Sequence, residues 1–110
     1  TRQYRREAET FNHSLTNGAI VLIALLKGGG EFTKTSGIAV MCGLDTDCTG
    51  ATAGSIMGCA VGTKGIPSHW TRPLHDTIET ELSGIPSIRI SELAHRMFAV
   101  ARRNARYDRK

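Results

Sequence analysis

Two carboxylates stand one residue apart in the segment that runs from Gly43 to Gly50, at Asp45 and Asp47. They are two of the four aspartates in a chain of 110 residues. Carboxylates this close repel each other, and a bound divalent cation relieves the repulsion. Because Mg²⁺ prefers carboxylate oxygens, with water completing its shell, both aspartates are candidate magnesium ligands.

The neighbouring residues allow a second interpretation. The carboxylates precede a segment of small residues that predicts a helix, and Asp47 alone could cap that helix as an anion at its N-terminus. From spacing alone, capping and metal binding are both open. If a metal binds, Thr46 and Thr49 are possible further oxygen ligands. Cys48 suits Mg²⁺ poorly because thiolates favour softer metals.

The segments around the carboxylates read as helices. Residues 18–27 predict a helix, although length alone leaves a strand open. Residues 19–26 are apolar on every face, so the helix would be buried on all sides, and three glycines from residue 28 onward stop it. Ser14, Thr16 or Asn17 would cap it. Such a helix is hard to bury within so short a chain, so we expect the chain to belong to a larger assembly.

A second helix is expected over residues 34–41 or 34–42, capped by Thr33 or Thr35, and a third from Cys48 or Thr49 to Val61. The third helix carries a glycine at every fourth position, on one face. These glycines are Gly50, Gly54, Gly58 and Gly62. Each costs about 1 kcal/mol in helix propensity, so we expect close packing, with further helices outside this chain brought against the stripe.

The C-terminal part predicts two more helices. Leu74, Ile78 and Leu82 are spaced by four after Pro73, which favours a fourth helix. Ser91 is a candidate cap for a fifth. We find no convincing alternating strand and therefore predict an all-α fold.

The composition, 40% hydrophobic and 22% charged, fits one folded soluble domain, and the formal net charge is +4. Basic residues gather at both ends, which favours solvated termini; a helical module binding nucleic acid is a rival hypothesis. Cys42, Cys48 and Cys59 show no zinc spacing and predict small buried thiols in a reducing compartment. With no signal peptide and no run long enough to cross a bilayer, we expect a cytoplasmic protein.

The segment from Gly43 to Gly58 closely resembles the C-terminal metal motif of the ADP-ribosylglycohydrolase family. The lead-in from His13, with its apolar helix, and the sequel around Trp70 and Ser91 are also similar. The resemblance implies an all-α orthogonal bundle, of which this chain holds about five helices. It also implies hydrolysis of the glycosidic bond that joins ADP-ribose to a modified protein, with two Mg²⁺ ions at the site.

Carried over by residue, the resemblance makes Asp45 and Asp47 metal ligands. Cys48 stands where many members have a metal-binding threonine, and water or Thr49 would then substitute for it. His13 and Asn17 are candidates to approach the site. No catalytic or substrate-binding residue is assigned.

The resemblance also implies a second acidic cluster of Thr-Asp-Asp type that these residues lack. We therefore expect residues 1–110 to form a partial domain, with residues 1–12 as a leader, inactive without an N-terminal portion or a companion chain. The expected partner is an ADP-ribosylated protein or an ADP-ribose derivative, not a membrane or nucleic acid. A catalytically silent relative is the alternative.

Overall fold

The computed structural model describes residues 13–107, so the predicted leader over residues 1–12 lies outside the described residues. The chain divides into two compact units, Thr1–Pro67 and Ser68–Lys110. Its described part is mostly helical, as predicted, with five α-helices and one two-stranded sheet. The candidate metal ligands all belong to the first unit.

Three helices build the first unit: α1 (Ser14–Gly28), α2 (Phe32–Met41) and α3 (Thr46–Gly65). Helix α1 begins earlier than predicted, and His13 caps it in place of the three predicted residues, with Nδ1 accepting a hydrogen bond from the Leu15 N–H at 3.3 Å. The predicted stop is confirmed, since Gly29 takes the left-handed conformation at φ 66°.

The core of this unit is made of small and medium side chains. Val21 and Ala24 of α1 pack with Ala39 of α2 and Ala53 of α3, so all three helices contact one another. Burial of α1 on all sides is not reached within the described chain, since Leu22 is 57% exposed and Leu26 is 73% exposed. The other two helices of the unit cover one face of α1, and its burial by a larger assembly stays a prediction.

The glycine stripe of α3 faces its own unit. A Cβ at Gly50 would lie 3.0 Å from Val40 Cγ2 of α2, and one at Gly54 would lie 3.7 Å from Phe32 Cζ. The stripe therefore packs beside α2, and the expectation that it receives helices from outside the chain is wrong for these two positions. Gly62 adopts φ 65° and kinks the helix, close to the predicted end at Val61.

The tightest backbone approach involves a different glycine. A Cβ on Gly28 would lie 1.8 Å from Thr35 Oγ1 and 3.0 Å from Thr35 Cα. Thr35 is fully buried. It also lies inside α2, which begins at Phe32 after Glu31, so neither Thr33 nor Thr35 is the cap. Gly28 is the residue that lets α1 and α2 meet closely.

The second unit contains a β-hairpin where a fourth helix was predicted. After α4 (Ser68–Thr71) and a 3₁₀ turn (Arg72–Leu74), β1 (Thr77–Leu82) pairs antiparallel with β2 (Ile85–Arg89). A spacing of four fits a strand as well as a helix, because it is a multiple of the strand period of two. The predicted helix and the absence of strands are therefore wrong here.

Helix α5 (Ile90–Tyr107) confirms the last predicted helix, but its start is held by Asp76. The Asp76 carboxylate accepts hydrogen bonds from the Ser91 N–H at 2.9 Å and the Ser91 hydroxyl at 2.6 Å. The hydrogen bond from the Ser91 hydroxyl, followed by the one from the Ser91 N–H, lowers the pKa of Asp76. Ser91 thus donates to a cap supplied from outside the helix.

The three cysteines are free, as predicted, but they are exposed and not buried. The buried residues of α3 are Thr49, Ala53 and Met57. Cys48 and Cys59 lie off this stripe, which explains their exposure. Within residues 13–107, no helix combines the length and apolar character that a bilayer crossing requires.

Candidate metal centre

A strained turn places Asp45 directly before α3. Gly43 and Leu44 both have positive φ, 75° and 62°. Leucine has a side chain, so its left-handed conformation costs on the order of 1 kcal/mol. The turn reverses the chain between α2 and α3 and leaves Asp45 as the residue before the helix, with only 7% of its surface exposed.

The side chain of Asp45 does not cap the helix that it precedes. It makes no cap hydrogen bond to the first turn of α3. Instead, Asp45 Oδ2 accepts a hydrogen bond of 2.8 Å from Asn17 Nδ2, which comes from α1. Asp47 lies inside the first turn of α3 and is therefore not the N-cap residue. An anion is favoured in this turn by the helix dipole.

Three side chains converge at this helix start. The ligand atoms of Asp45, Asp47 and Cys48 all lie within 4.8 Å of one another. Asp45 is buried, whereas Asp47 and Cys48 are exposed. A cation could therefore be held between a fixed carboxylate and a solvent-facing one, with water completing its shell.

The same carboxylates act on the thiol of Cys48. A hydrogen bond to Asp45, followed by the negative charge of Asp45, raises the pKa of the Cys48 thiol, with smaller contributions from desolvation and Asp47. Thiolates favour softer metals than Mg²⁺, so Cys48 suits this cation poorly. The geometry is consistent with carboxylate oxygens as the main donors at this place.

The two threonines lie differently around the site. Thr49 is fully buried, and its hydroxyl lies 3.0 Å from the Asp45 carbonyl and 3.4 Å from the Ala39 carbonyl. It therefore ties the beginning of α3 to α2. Thr46 is half-buried, and its N–H donates to the Leu44 carbonyl at 3.0 Å. Both threonines support the turn that presents the carboxylates.

Asn17 approaches the site, and its side chain supports the fit of a cation. Asn17 Oδ1 is buried and has no hydrogen-bond partner among the described residues. Thr35 Oγ1 and Ser36 Oγ are also buried without a partner, but Asn17 is the residue of the three that contacts Asp45, where a cation or a cation-bound water would supply the missing partner. Two neighbouring carboxylates form a hard oxygen donor set of the type that suits Mg²⁺. His13, in contrast, is engaged in capping α1.

A shallow pocket opens beside this cluster, between α1 and α3. Its volume is about 350 Å³. It is lined by polar and small side chains from both helices. These are Ser14, Asn17, Gly18, Val21, Cys48, Thr49 and Thr52. The candidate ligands therefore border a concave surface on the first unit.

Comparison with protein families matches almost the whole chain to one model. The match is to ADP-ribosylglycohydrolase and covers residues 3–106. This chain belongs to the ADP-ribosylglycohydrolase family. The resemblance read from the segment Gly43 to Gly58 is thereby confirmed at the level of the family.

Membership places the chain among hydrolases of a family that is metal-dependent in general. No match is found among curated proteins, nor among solved structures. The structure agrees with the metal-dependent character to the extent that it brings acidic side chains and a cysteine together at one helix start.

Proposed function

We propose that this chain contributes Asp45 and Asp47 to the Mg²⁺ centre of a hydrolase that removes ADP-ribose from modified proteins. The observation that carries the proposal is the Asp45 carboxylate. It is buried, turned away from capping its own helix and placed beside Asp47 in a chain of this family. A helix cap would not require that arrangement.

The two aspartates would have different roles in holding the cation. Asp45 is fixed by Asn17 and by the turn at Leu44, so it would hold a cation at a defined place. Asp47 is exposed and would adapt to the cation from the solvent side. When bound, Mg²⁺ would supply a Lewis acid and a template for the ribose of the substrate.

We also propose that the chain alone does not hydrolyse ADP-ribosylated protein. A pair of Mg²⁺ ions needs more oxygen ligands than two carboxylates provide, and activation of water needs a placed base. The described residues offer one acidic cluster of three side chains. A second cluster, carried by an N-terminal portion or a companion chain, would complete the centre.

Calorimetric titration of the full chain with MgCl₂ tests the metal site. We expect saturable binding by the natural chain, and a loss of affinity of about tenfold or more in Asp45→Asn and in Asp47→Asn. Glu31→Gln is the matched control, because it removes one exposed negative charge elsewhere in the same unit. Equal affinity in all four proteins would show that these aspartates are not ligands.

An ADP-ribosylated protein substrate tests the reaction. We expect the chain to release no ADP-ribose by itself, and to release it when a polypeptide carrying the family's other acidic cluster is added. Release that is unchanged by Asp45→Asn would contradict the assignment. Binding of ADP-ribose without release, even in the completed assembly, would favour the catalytically silent alternative.

A further inference from the structure

We infer that Asn17 is a positioning residue for the metal centre, holding Asp45 in the orientation in which it binds the cation. The inference rests on the proposed function of Asp45 as a ligand. The amide is contributed by α1, 28 residues before Asp45 in sequence, and donates to Asp45 Oδ2 over 2.8 Å.

The hydrogen bond involves one oxygen of the carboxylate. Asn17 Nδ2 engages Oδ2, so Oδ1 of Asp45 is free of the amide. A carboxylate has lone pairs on both oxygens, and a hydrogen bond to one fixes the plane in which the other is presented. Asn17 therefore sets the direction from which Asp45 can coordinate a cation.

The charge of the residue that donates to Asp45 matters as much as the geometry of the hydrogen bond. Burial of a carboxylate is costly unless the negative charge is compensated. Arginine or lysine at position 17 would neutralise Asp45 and compete with a cation, whereas the neutral amide leaves the negative charge in place. Only 7% of the Asp45 surface is exposed, and no ion pair with Asp45 is found among residues 13–107. Its charge therefore favours a bound cation.

The other end of the amide has no competing task in the described structure. Asn17 Oδ1 is buried and unpartnered. A side chain that served only to join α1 to α3 would be expected to satisfy both ends, since an unpaired buried acceptor costs about 1–3 kcal/mol. The arrangement is explained if the side chain is placed for the site and not for packing.

Titration with MgCl₂ of the full chain and its variants separates positioning from packing. We expect Asn17→Ala to weaken Mg²⁺ binding by about 10-fold to 100-fold, the range for residues that orient metal ligands. Ser14→Ala is the matched control, because Ser14 lines the same pocket on the same helix. It should keep the natural affinity. A natural affinity in Asn17→Ala, whatever its stability, would overturn the inference.

A second variant covers the case in which Asn17→Ala folds poorly. Asn17→Leu keeps about the size of the side chain but cannot donate to Asp45. We expect Mg²⁺ to raise its melting temperature by less than it raises that of the natural chain, because weaker binding gives a smaller stabilisation. An equal rise in the two proteins would overturn the inference. Absence of binding by the natural chain would instead overturn the proposed metal site itself.

Discussion

The position of Asp45 in the sequence allows two roles, helix capping and metal binding, and the contacts of its carboxylate bear on the choice between them. An aspartate before a helix normally accepts hydrogen bonds from the first turn, yet Asp45 accepts one from Asn17 of another helix. The left-handed conformation of Leu44 and the burial of Asp45 both favour a role beyond capping. At the scale of single residues, the Asp45 side chain is therefore not used for capping, as the proposed metal site requires.

Asp76 offers a prediction at the same scale. Its hydrogen bonds with Ser91 lower its pKa, so its ionised form contributes stability above the ordinary aspartate pKa, and this is lost as pH falls through the lowered value. We expect Asp76→Asn to lower the melting temperature at pH 7, and this difference to shrink as pH falls below the ordinary aspartate pKa. Asparagine tolerates the φ of 53° at this position.

Thermal melts from pH 2 to pH 7 measure this difference. Glu81→Gln is the control, because it removes an exposed carboxylate of β1 whose side chain makes no hydrogen bond to any residue from 13 to 107. Its difference from the natural chain should vary little with pH. A destabilisation by Asp76→Asn that is equal at pH 2 and pH 7 would contradict a role for the ionised carboxylate.

At the scale of elements, the spacing of apolar residues predicts a helix where the structure has a strand, because a spacing of four fits the period of both. Ile78 and Leu82 share a helix face and also one face of a strand, so their spacing cannot choose between the two. The deciding signal is local: Ser83 and Gly84 join two short β-branched segments, and Gly84 has φ 79°, which a hairpin turn uses readily. The Ser-Gly pair between two β-branched segments is visible in the sequence itself.

The glycines of the helices give a prediction for elements. Gly54 and Gly58 have only ordinary contacts for an added Cβ, at 3.7 Å and 3.8 Å, whereas Gly28 would clash with Thr35 at 1.8 Å. We expect Gly54→Ala and Gly58→Ala each to raise the free energy of unfolding by up to about 1 kcal/mol through helix propensity. We expect Gly28→Ala to lower it by about 1–3 kcal/mol through overpacking.

Urea unfolding followed by far-UV circular dichroism measures these changes. Gly28→Ala is the control, because its stability is expected to change in the opposite direction within the same unit. A systematic error in the assay would instead shift the free energies of unfolding of all three variants in one direction. Marked destabilisation by Gly54→Ala in this chain would mean that the stripe is packed more tightly than the contacts with Phe32 and Ser36 indicate.

At the scale of the whole molecule, the candidate ligands and the residues that orient them lie in one of two compact units. Asn17, Asp45, Asp47 and Cys48 all belong to Thr1–Pro67. The large apolar side chains of that unit are partly unprotected, with Leu15 at 77% and Met41 at 86% exposed. Both facts are compatible with a unit that contributes part of a larger centre.

Hydrogen–deuterium exchange tests this division. We expect Mg²⁺ to slow exchange at the amides of Thr46–Thr49 and around Asn17, because binding to Asp45 and Asp47 would stabilise the turn and the start of α3. Asp47→Asn should remove most of the protection. Protection that is equally strong in the hairpin of residues 77–89 would contradict a site confined to the first unit.

The sequence by itself determined the family, the mostly helical fold, the position of the helix behind the carboxylates and the glycine stop after α1, because each depends on local pattern or on a contiguous motif. The tertiary structure decided the rest. That Asn17 reaches Asp45, that Cys48 is exposed and that Gly50 and Gly54 face α2 all depend on contacts between helices. Local propensity carries no information about which face of one helix meets another.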